Sequence, residues 1–470
     1  MEQLPDDVLL EVMRHLDVPD LFACRLVSKR LGSLALHADV WRHRRFGSDY
    51  KHFGWQCTVL RLAPCLDALS VYAQVPTAET GCLQATTTTR CAVARLELSV
   101  FEGGAMLAAA IIRHQEALGR LRRLRIYFYE VSQAEGVALL ATVVQTSGLT
   151  KLDLEEQPSC RSLVESMLRH TAVPVVSSLR SFRCSSFSTF TEHFVHFMLR
   201  VHAATLEEVF LDGRLLSTST LTAPLLSGMP NLRQLKCTLV PELNALAACE
   251  SLRVVSFTVR DEMRSAAAGR SALALLSHST QLQEVELSFL HFTRSPEPDV
   301  LRFFGDFISA LASSGRSHLR SLSIRASGIS CDRKELQPLW DALLAALPSL
   351  PALRRLAVDA PSDALLLGIT PVIAPALQRL LLGPWPLRRR EYLRCAHAWL
   401  HMDAVNHLHA VNPSLQLLAR AKLDYYCRGL SPCGVCQLGC HLSLRDSNSI
   451  EKYFIFDLLW VIIPRNNPCM

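Results

Sequence analysis

The residues of this chain best suited to chemistry are cysteines crowded near its carboxyl end. Cys427, Cys433, Cys436 and Cys440 follow one another in a C-x5-C-x2-C-x3-C order, and His441 comes directly after them. Four thiolates at such spacing could hold one tetrahedral zinc ion. The two central cysteines are also similar to a redox CxxC pair, but no strand-to-helix pattern surrounds them. Because a solitary CxxC is weak evidence, we expect no metal and no cofactor, and zinc binding by these cysteines stays the alternative.

A second group of metal-binding residue types lies just upstream. Cys395, His397, His401, His407 and His409 fall in one segment with helical character, and His397 and His401 would share a helix face. No acidic residue completes a site there, so an ordinary surface helix explains the histidines equally well. The sequence also contains no nucleophile elbow, HExxH motif, phosphate loop or dinucleotide fingerprint. We therefore expect a protein that is not an enzyme.

Composition describes a globular protein with a large core. The chain has 470 residues, of which 49% are hydrophobic and 20% are charged. Its net charge of +6 is modest and no long basic stripe occurs, which argues against nucleic acid as a partner. Acidic residues interrupt the first twenty positions, so we expect no secretory signal and a cytoplasmic or nuclear location. Because that environment is reducing, we expect most of the sixteen cysteines to be reduced. Tyr453–Ile463 is apolar but too short to cross a membrane, which requires a helix of about 20 residues.

Apolar residues near the amino end recur at three- and four-residue spacing, which predicts three short helices. They are Leu9, Val12, Met13, Leu16, Leu21, Leu26, Leu31 and Leu34. Pro5 suits a first helical turn, where its missing N–H costs nothing, and Asp6 and Asp7 suit the positive end of a helix dipole. Because so small a unit buries little core alone, it is more typical of a docking module than of an enzyme.

This segment resembles an F-box, the helical motif that ties a substrate receptor to the Skp-type adaptor of a cullin-RING ubiquitin ligase. The resemblance covers residues 1–46 and is carried by Leu4-Pro5, Val8-Leu9-Leu10, Leu16, Asp20-Leu21, Val27-Ser28-Lys29-Arg30 and Trp41. One departure is Leu31, which stands where many members have tryptophan. An ordinary helical cap on the following domain is the alternative interpretation.

The resemblance implies that exposed apolar residues of the F-box bind the adaptor. By match to the family pattern these are Leu4, Pro5, Val8, Leu9, Leu16, Leu21, Val27 and Trp41. Some of them must instead pack between the helices, and Leu16 and Leu21 are the first candidates for that role.

Residues 50–420 repeat a pattern of the form L-x-x-L-x-L up to twelve times, at intervals of 20 to 37 residues. The repeats begin at Leu66, Val93, Leu121, Leu149, Leu179, Leu206, Leu232, Leu252, Leu282, Leu319, Leu353 and Leu377. Such a period is typical of leucine-rich repeats, each with one strand and one helix. It predicts an α/β solenoid, shaped as a horseshoe, whose parallel strands line the concave face. Residues 421–470 would form a cysteine-rich, apolar and irregular tail.

The asparagine or cysteine that usually follows each strand is mostly missing: its positions hold Gln74, Phe101, Tyr129, Gln157 and Phe187. The turns must therefore satisfy their backbone groups in other ways.

Alternation along the strands predicts which side chains face outward and could bind a target protein. They are Arg95, Glu97, Arg123, Arg125, Tyr127, Lys151, Asp153, Glu155, Glu208, Phe210, Asp212, Lys236, Glu284, Glu286, Arg325 and Arg379. This order suggests a basic patch at Arg123 and Arg125, followed by acidic ones. A mixed pattern suits a folded protein partner better than a polyanion.

An F-box followed by leucine-rich repeats resembles the substrate receptors of SCF-type ligases. The resemblance implies that the chain binds the adaptor, through it a cullin and a RING subunit, and a protein substrate, without membrane contact. The alternatives are a repeat scaffold outside any ligase and a metal or redox protein acting through its tail.

Overall fold

The computed structural model describes the following residues: 4–47, 55–74, 83–156, 176–185, 189–213, 219–260, 266–290, 298–313, 318–325, 336–383, 399, 402–420, 452–455 and 458–462. The chain divides into two compact units, Met1–Leu216 and Ser217–Met470. Short helices begin the first unit, and both units then alternate helices with parallel strands. The predicted α/β class with an all-α beginning is therefore confirmed.

Four short helices open unit 1, one more than the sequence pattern predicts. They are α1 (Asp6–His15), α2 (Val18–Val27), α3 (Lys29–Ala35) and α4 (Ala38–Trp41), and the strand β1 (Arg45–Phe46) follows. Pro5 lies one residue before α1 in an extended conformation, so it precedes the first turn that we predicted for it. Ser28 begins α3, and its Oγ accepts a hydrogen bond from the Leu31 backbone N–H at 3.2 Å.

Trp41 is the centre of this helical region. Its ring is fully buried, and its Nε1–H donates to the Ala35 carbonyl oxygen at 2.7 Å. The Phe22 ring packs 5.8 Å away, and the Arg44 guanidinium lies over the indole at 5.6 Å. Leu9 and Leu21 are also buried, and α3 contacts both α1 and α2 while α4 contacts α1, so the four helices enclose one small core.

In the rest of unit 1, strands and helices alternate and the strands pair in chain order. The elements are α5 (Gln56–Leu62), β2 (Cys65–Ala73), α6 (Leu83–Thr88), β3 (Ala92–Val100), α7 (Ala105–Ala117), β4 (Arg123–Phe128), α8 (Gln133–Gln145), β5 (Lys151–Glu156), β6 (Ser181–Ser185), α9 (Thr189–Val201) and β7 (Glu208–Asp212). Every pair from β1–β2 to β6–β7 is parallel. Because each strand pairs with the next in the sequence, the described part of unit 1 has the order of a solenoid.

Unit 2 repeats this arrangement. Its elements are α10 (Thr222–Ser227), β8 (Gln234–Thr238), β9 (Val254–Arg260), α11 (Ala266–His278), β10 (Glu284–Leu290), α12 (Pro298–Ser313), β11 (Ser321–Arg325), α13 (Gln337–Ala346), β12 (Arg355–Asp359), α14 (Asp363–Gly368), β13 (Arg379–Gly383), α15 (Asp403–Val411), β14 (Gln416–Arg420), β15 (Lys452–Ile455) and β16 (Leu458–Ile462). A 3-10 helix, Leu243–Ala248, connects β8 to β9, and another, Leu347–Ser349, follows α13.

The strands β8 to β14 are parallel and in chain order, whereas β16 pairs antiparallel with both β14 and β15. Each of the twelve repeats predicted from the sequence contributes one parallel strand. The predicted upper count is too low, because β1 and β14 also pair in parallel.

Side chains other than asparagine satisfy the backbone between strands, as the sequence requires. Gln115 at the end of α7 is buried, and its Oε1 accepts from the Val93 backbone N–H at 3.0 Å. Its Nε2 donates to the Cys91 carbonyl oxygen at 3.1 Å. One amide therefore pairs both a donor and an acceptor at the start of β3.

Hydroxyl groups do the same between later strands. Thr150 Oγ1 donates to the Arg122 carbonyl oxygen at 3.1 Å and Ser178 Oγ to that of Leu149 at 2.8 Å. At two of the positions where asparagine is usual, aromatic rings stack instead: Phe101 and Tyr129 lie 4.9 Å apart and nearly parallel. The missing asparagine ladder is thus replaced by several unlike contacts.

Candidate functional site

The helical region of unit 1 exposes apolar side chains on α1 and at the end of α2. Val8 and Val12 are one helical turn apart on α1 and are 42% and 51% exposed. Leu4 lies just before α1 and is also exposed, and Leu26 and Val27 at the end of α2 are 86% and 71% exposed. We call these five residues the apolar face. Grouped apolar exposure of this kind is typical of interaction sites, whereas single exposed leucines are ordinary.

Arg30 holds the two parts of the apolar face in place. Its Nη2 donates to the Leu4 carbonyl oxygen at 2.6 Å, and its Nε donates to Asp6 Oδ1 at 2.9 Å. Since Arg30 follows Val27 by three residues, these bonds fix the entry to α1 beside the start of α3. The segment before the first helix is therefore oriented by a side chain and not by the backbone alone.

The predicted adaptor-binding residues separate into surface and core. Leu4, Pro5, Val8 and Val27 are exposed, and Leu16 is half-buried. The prediction that Leu9, Leu21 and Trp41 bind the adaptor is wrong, because each side chain is buried among the helices and is at most 3% exposed. These three side chains hold the helices together and are not on the surface.

Sequence reasoning missed Val12 and Leu26 as surface residues. Both carry the same apolar spacing as the core residues beside them. Only the three-dimensional packing of α1 and α2 separates the two sets.

A second candidate surface is the strand face of unit 1, which consists of the side chains that alternate with buried leucines on β2 to β7. Parallel register arranges these side chains in rows that cross the strands. One row contains Arg95, Arg123, Lys151, Ser181 and Glu208. The next contains Glu97, Arg125, Asp153, Arg183 and Phe210, and the third contains Ser99, Tyr127, Glu155, Ser185 and Asp212.

Asp153 is the centre of the middle row. It is 6% exposed, and its Oδ2 lies 3.4 Å from Arg125 Nε and 3.9 Å from Arg183 Nε. Burial raises the pKa of this carboxyl above its ordinary value, and the two arginines oppose the shift. Asp153 was predicted to contact a target, but its burial assigns it to the support of these arginines.

Aromatic rings complete the middle and third rows. The Arg125 guanidinium lies 4.6 Å from the Tyr127 ring centroid, and that of Arg183 lies 4.6 Å from the Phe210 centroid. Arg125 Nη2 also lies 3.3 Å from Glu155 Oε2. Each arginine is therefore held by an acid and a ring, which leaves little net charge in this part of the face.

The predicted basic patch at Arg123 and Arg125 is therefore wrong. Arg125 is neutralised by acids of the neighbouring strand, whereas Arg123 is exposed in another row. The other predicted residues of this face, from Arg95 to Asp212, are half-buried.

On the strand face of unit 2, acidic side chains form ion pairs with arginines of the same unit. Glu286 is 7% exposed; its Oε1 lies 2.7 Å from Arg325 Nε, and its Oε2 accepts from Ser256 Oγ at 3.2 Å. Half-buried Glu284 lies 3.5 Å from Arg355 Nη2. The predicted acidic patch at Glu284 and Glu286 is thus neutralised by arginines of β11 and β12, and Glu286 is too buried for a direct contact. Lys236 is half-buried and Arg379 is exposed on the same unit.

The described residues offer no metal site: no three His, Cys, Asp or Glu side chains come close enough together to hold an ion. The zinc candidates Cys427, Cys433, Cys436 and Cys440 lie outside the described residues. Among the described helices, none is long and apolar enough to cross a membrane.

Five of the described cysteines act as core residues. Cys65, Cys91, Cys184, Cys237 and Cys249 are free and buried. Burial raises the pKa of the Cys91 thiol to about 12, with a further contribution from Cys65, so this thiol stays protonated. Cys57 departs from the expectation of reduced cysteines, because it is disulfide-bonded.

Comparison with known proteins identifies the helical region. A family model described as F-box-like matches residues 1–47. These residues form an F-box-like domain. The match ends one residue after β1 and coincides with the helices that carry the apolar face. An F-box-like domain implies binding to a Skp-type adaptor. A search of curated proteins finds no match to the chain.

Proposed function

We propose that this chain is the substrate-recognition subunit of an SCF-type E3 ubiquitin ligase. The F-box-like match to residues 1–47 carries the proposal, and the exposed apolar face supports it with a surface for the adaptor. The alternation of strand and helix in both units supports leucine-rich repeats, whose strand faces would bind the target protein.

In this proposal the chain forms and breaks no covalent bond. The adaptor would connect it to the cullin and RING subunits, and the repeats would hold the target near a ubiquitin thioester. Its contribution is a raised effective concentration of target lysines. We propose a cytoplasmic or nuclear location, since the other subunits would have to meet the chain there.

Charge placed on the apolar face tests adaptor binding. In a Leu26→Asp, Val27→Asp double variant, two well-exposed apolar contacts become charged, so their burial against an adaptor would become unfavourable. We expect the dissociation constant for a purified Skp-type adaptor to rise at least about 30-fold, equivalent to about 2 kcal/mol, as for interface hot spots. Surface plasmon resonance with immobilised adaptor measures the change.

Met106→Asp is the matched control, because Met106 is 71% exposed on α7, outside the F-box-like domain. The control should bind adaptor as tightly as the unchanged chain. If the unchanged chain binds no adaptor, or the double variant binds as well as the control, the ligase assignment fails and a repeat scaffold outside any ligase is the better interpretation.

A further inference from the structure

Four basic side chains lie in one row across the first five strands of unit 1. Register pairs Arg45 of β1 with Ala68, Ala68 with Arg95, Arg95 with Arg123, and Arg123 with Lys151. Adjacent strands are about 4.8 Å apart, so the row is about 19 Å long. We call Arg45, Arg95, Arg123 and Lys151 the basic row.

Acidic side chains only partly compensate this row. Asp67 Oδ2 lies 3.4 Å from Arg45 Nε, and Asp67 Oδ1 lies 3.4 Å from Arg95 Nε. No side-chain hydrogen bond and no ion pair within 4 Å joins Arg123 or Lys151 to another described residue, although Lys151 lies near enough to Asp153 to help lower the pKa of that carboxyl. The row therefore retains a net positive charge, in contrast to the middle row, where Asp153 neutralises its arginines.

Folding alone does not explain this arrangement. Like charges directly opposite each other on adjacent strands destabilise a sheet, and Arg123 has a cation opposite it on both sides. Serine or threonine would occupy such half-exposed strand positions without repulsion. A row of cations that the fold does not need is better explained by a ligand of opposite charge.

We propose that the basic row binds an acidic, extended segment of the target protein. The inference rests on the proposed function, because it specifies the target that the strand face would hold. An extended peptide rises about 3.3 Å per residue, so about six residues would match the row. Aspartate, glutamate and phosphoserine share the chemistry that arginine recognises, and the experiment below distinguishes them.

The test uses the full chain in complex with its adaptor and three fluorescein-labelled decapeptides. One alternates Glu with Ser, one alternates phosphoserine with Ala, and one alternates Lys with Ser. We expect the acidic peptides to bind with an affinity that falls as salt is added, and the lysine peptide not to bind. The ratio of the two acidic affinities shows whether carboxylate or phosphate is preferred. Fluorescence anisotropy measures all three.

The variant Arg123→Glu, Lys151→Glu should weaken binding of the acidic peptides at least 10-fold. The control Arg113→Glu, Arg200→Glu makes the same change in net charge at exposed positions on α7 and α9, so its affinity should change less than threefold. Equal losses in both variants, equal binding of the lysine peptide, or tighter binding of a dT10 oligonucleotide would overturn the proposal.

Adaptor binding by the Arg123→Glu, Lys151→Glu variant separates this inference from the proposed function. The substituted residues lie outside the apolar face, so the variant should bind adaptor normally. If the adaptor binds while the acidic peptides do not bind the unchanged chain, the basic row has no such role and the receptor assignment stands. If the unchanged chain binds no adaptor, the proposed function itself has failed.

Discussion

Replacement of Arg44 by methionine would release α1 from the rest of the F-box-like domain. Arg44 Nη2 donates to the carbonyl oxygens of Met13 at 2.9 Å and Leu16 at 2.8 Å, at the end of α1, where carbonyls lack the N–H donor of a following helical turn. Its Nε donates to the Val40 carbonyl oxygen at 2.9 Å. Methionine keeps most of the apolar stem against Trp41, so the variant mainly removes the charged donors.

The expected loss follows from these contacts. A hydrogen bond from a charged donor contributes about 1.5–3 kcal/mol, and a cation at a helix C-terminus up to about 2 kcal/mol. The two kinds of contact involve the same guanidinium, so they do not add fully. Burial lowers the pKa of Arg44, opposed by Asp17, which indicates that desolvation already offsets part of the gain. We therefore expect Arg44→Met to cost about 2 kcal/mol.

Hydrogen exchange followed by mass spectrometry measures this loss where it occurs. Amides of α1 should exchange about 30-fold faster in Arg44→Met, the factor that corresponds to 2 kcal/mol. Arg14→Met is the matched control, because Arg14, near the same helix end, forms a surface ion pair with Glu11 and only one long hydrogen bond to another helix, 3.4 Å from its Nε to the Asp39 carbonyl oxygen. Such pairs contribute less than about 1 kcal/mol. Unchanged exchange in Arg44→Met, or an equal increase in the control, would refute the assignment of Arg44 as the cap of α1.

Two further substitutions test the interior of unit 1. Gln115→Leu would leave the Val93 N–H and the Cys91 carbonyl without their side-chain partner, so it should lower the free energy of unfolding in urea by about 3 kcal/mol. The control Gln145→Leu, at an exposed helix end, should lower it by less than about 0.5 kcal/mol. Equal midpoints for these two variants would contradict the role of Gln115. Burial lowers the pKa of His202 from 6.5 to about 4, so its contribution to stability is present above pH 6.5 and is lost as the pH falls towards 4. The lowered pKa corresponds to at most about 3 kcal/mol, and solvent screening reduces this to roughly 2 kcal/mol, which His202→Gln should remove from the pH dependence. Identical pH–stability curves for the two proteins would show that His202 is not the group responsible.

The sequence predicts the strands well because their signal is local. Leu124 and Ile126 are two residues apart, so a strand places both side chains on its buried face, and Leu121 is buried just before that strand. The replacements for the asparagine ladder are not predictable in this way. Gln115 lies in a helix about twenty residues from the strand start that it satisfies, so no short motif connects them.

The candidate surfaces depend on contacts that a linear pattern does not contain. Val8 and Leu9 are adjacent apolar residues of α1, yet one is exposed and the other buried. On the strand face, Arg123 and Arg125 look equivalent in the sequence. Register places Arg125 beside Asp153 and Arg123 beside Lys151, and only this lateral pairing distinguishes a neutralised arginine from a charged one.

The short strand β1 joins the F-box-like domain to the sheet of unit 1. It pairs with β2 through Arg45 and Phe46, and the Arg44 carbonyl oxygen accepts from the Asp67 backbone N–H at 2.8 Å. The F-box-like domain, which would bind the adaptor, is thus hydrogen-bonded to the edge of the sheet that would bind the target protein. In the proposed receptor, a target bound to this sheet would have a fixed orientation relative to the ubiquitin-conjugating enzyme. The orientation of the bound target, and not the reach of a flexible linker, would then determine which of its lysines are modified.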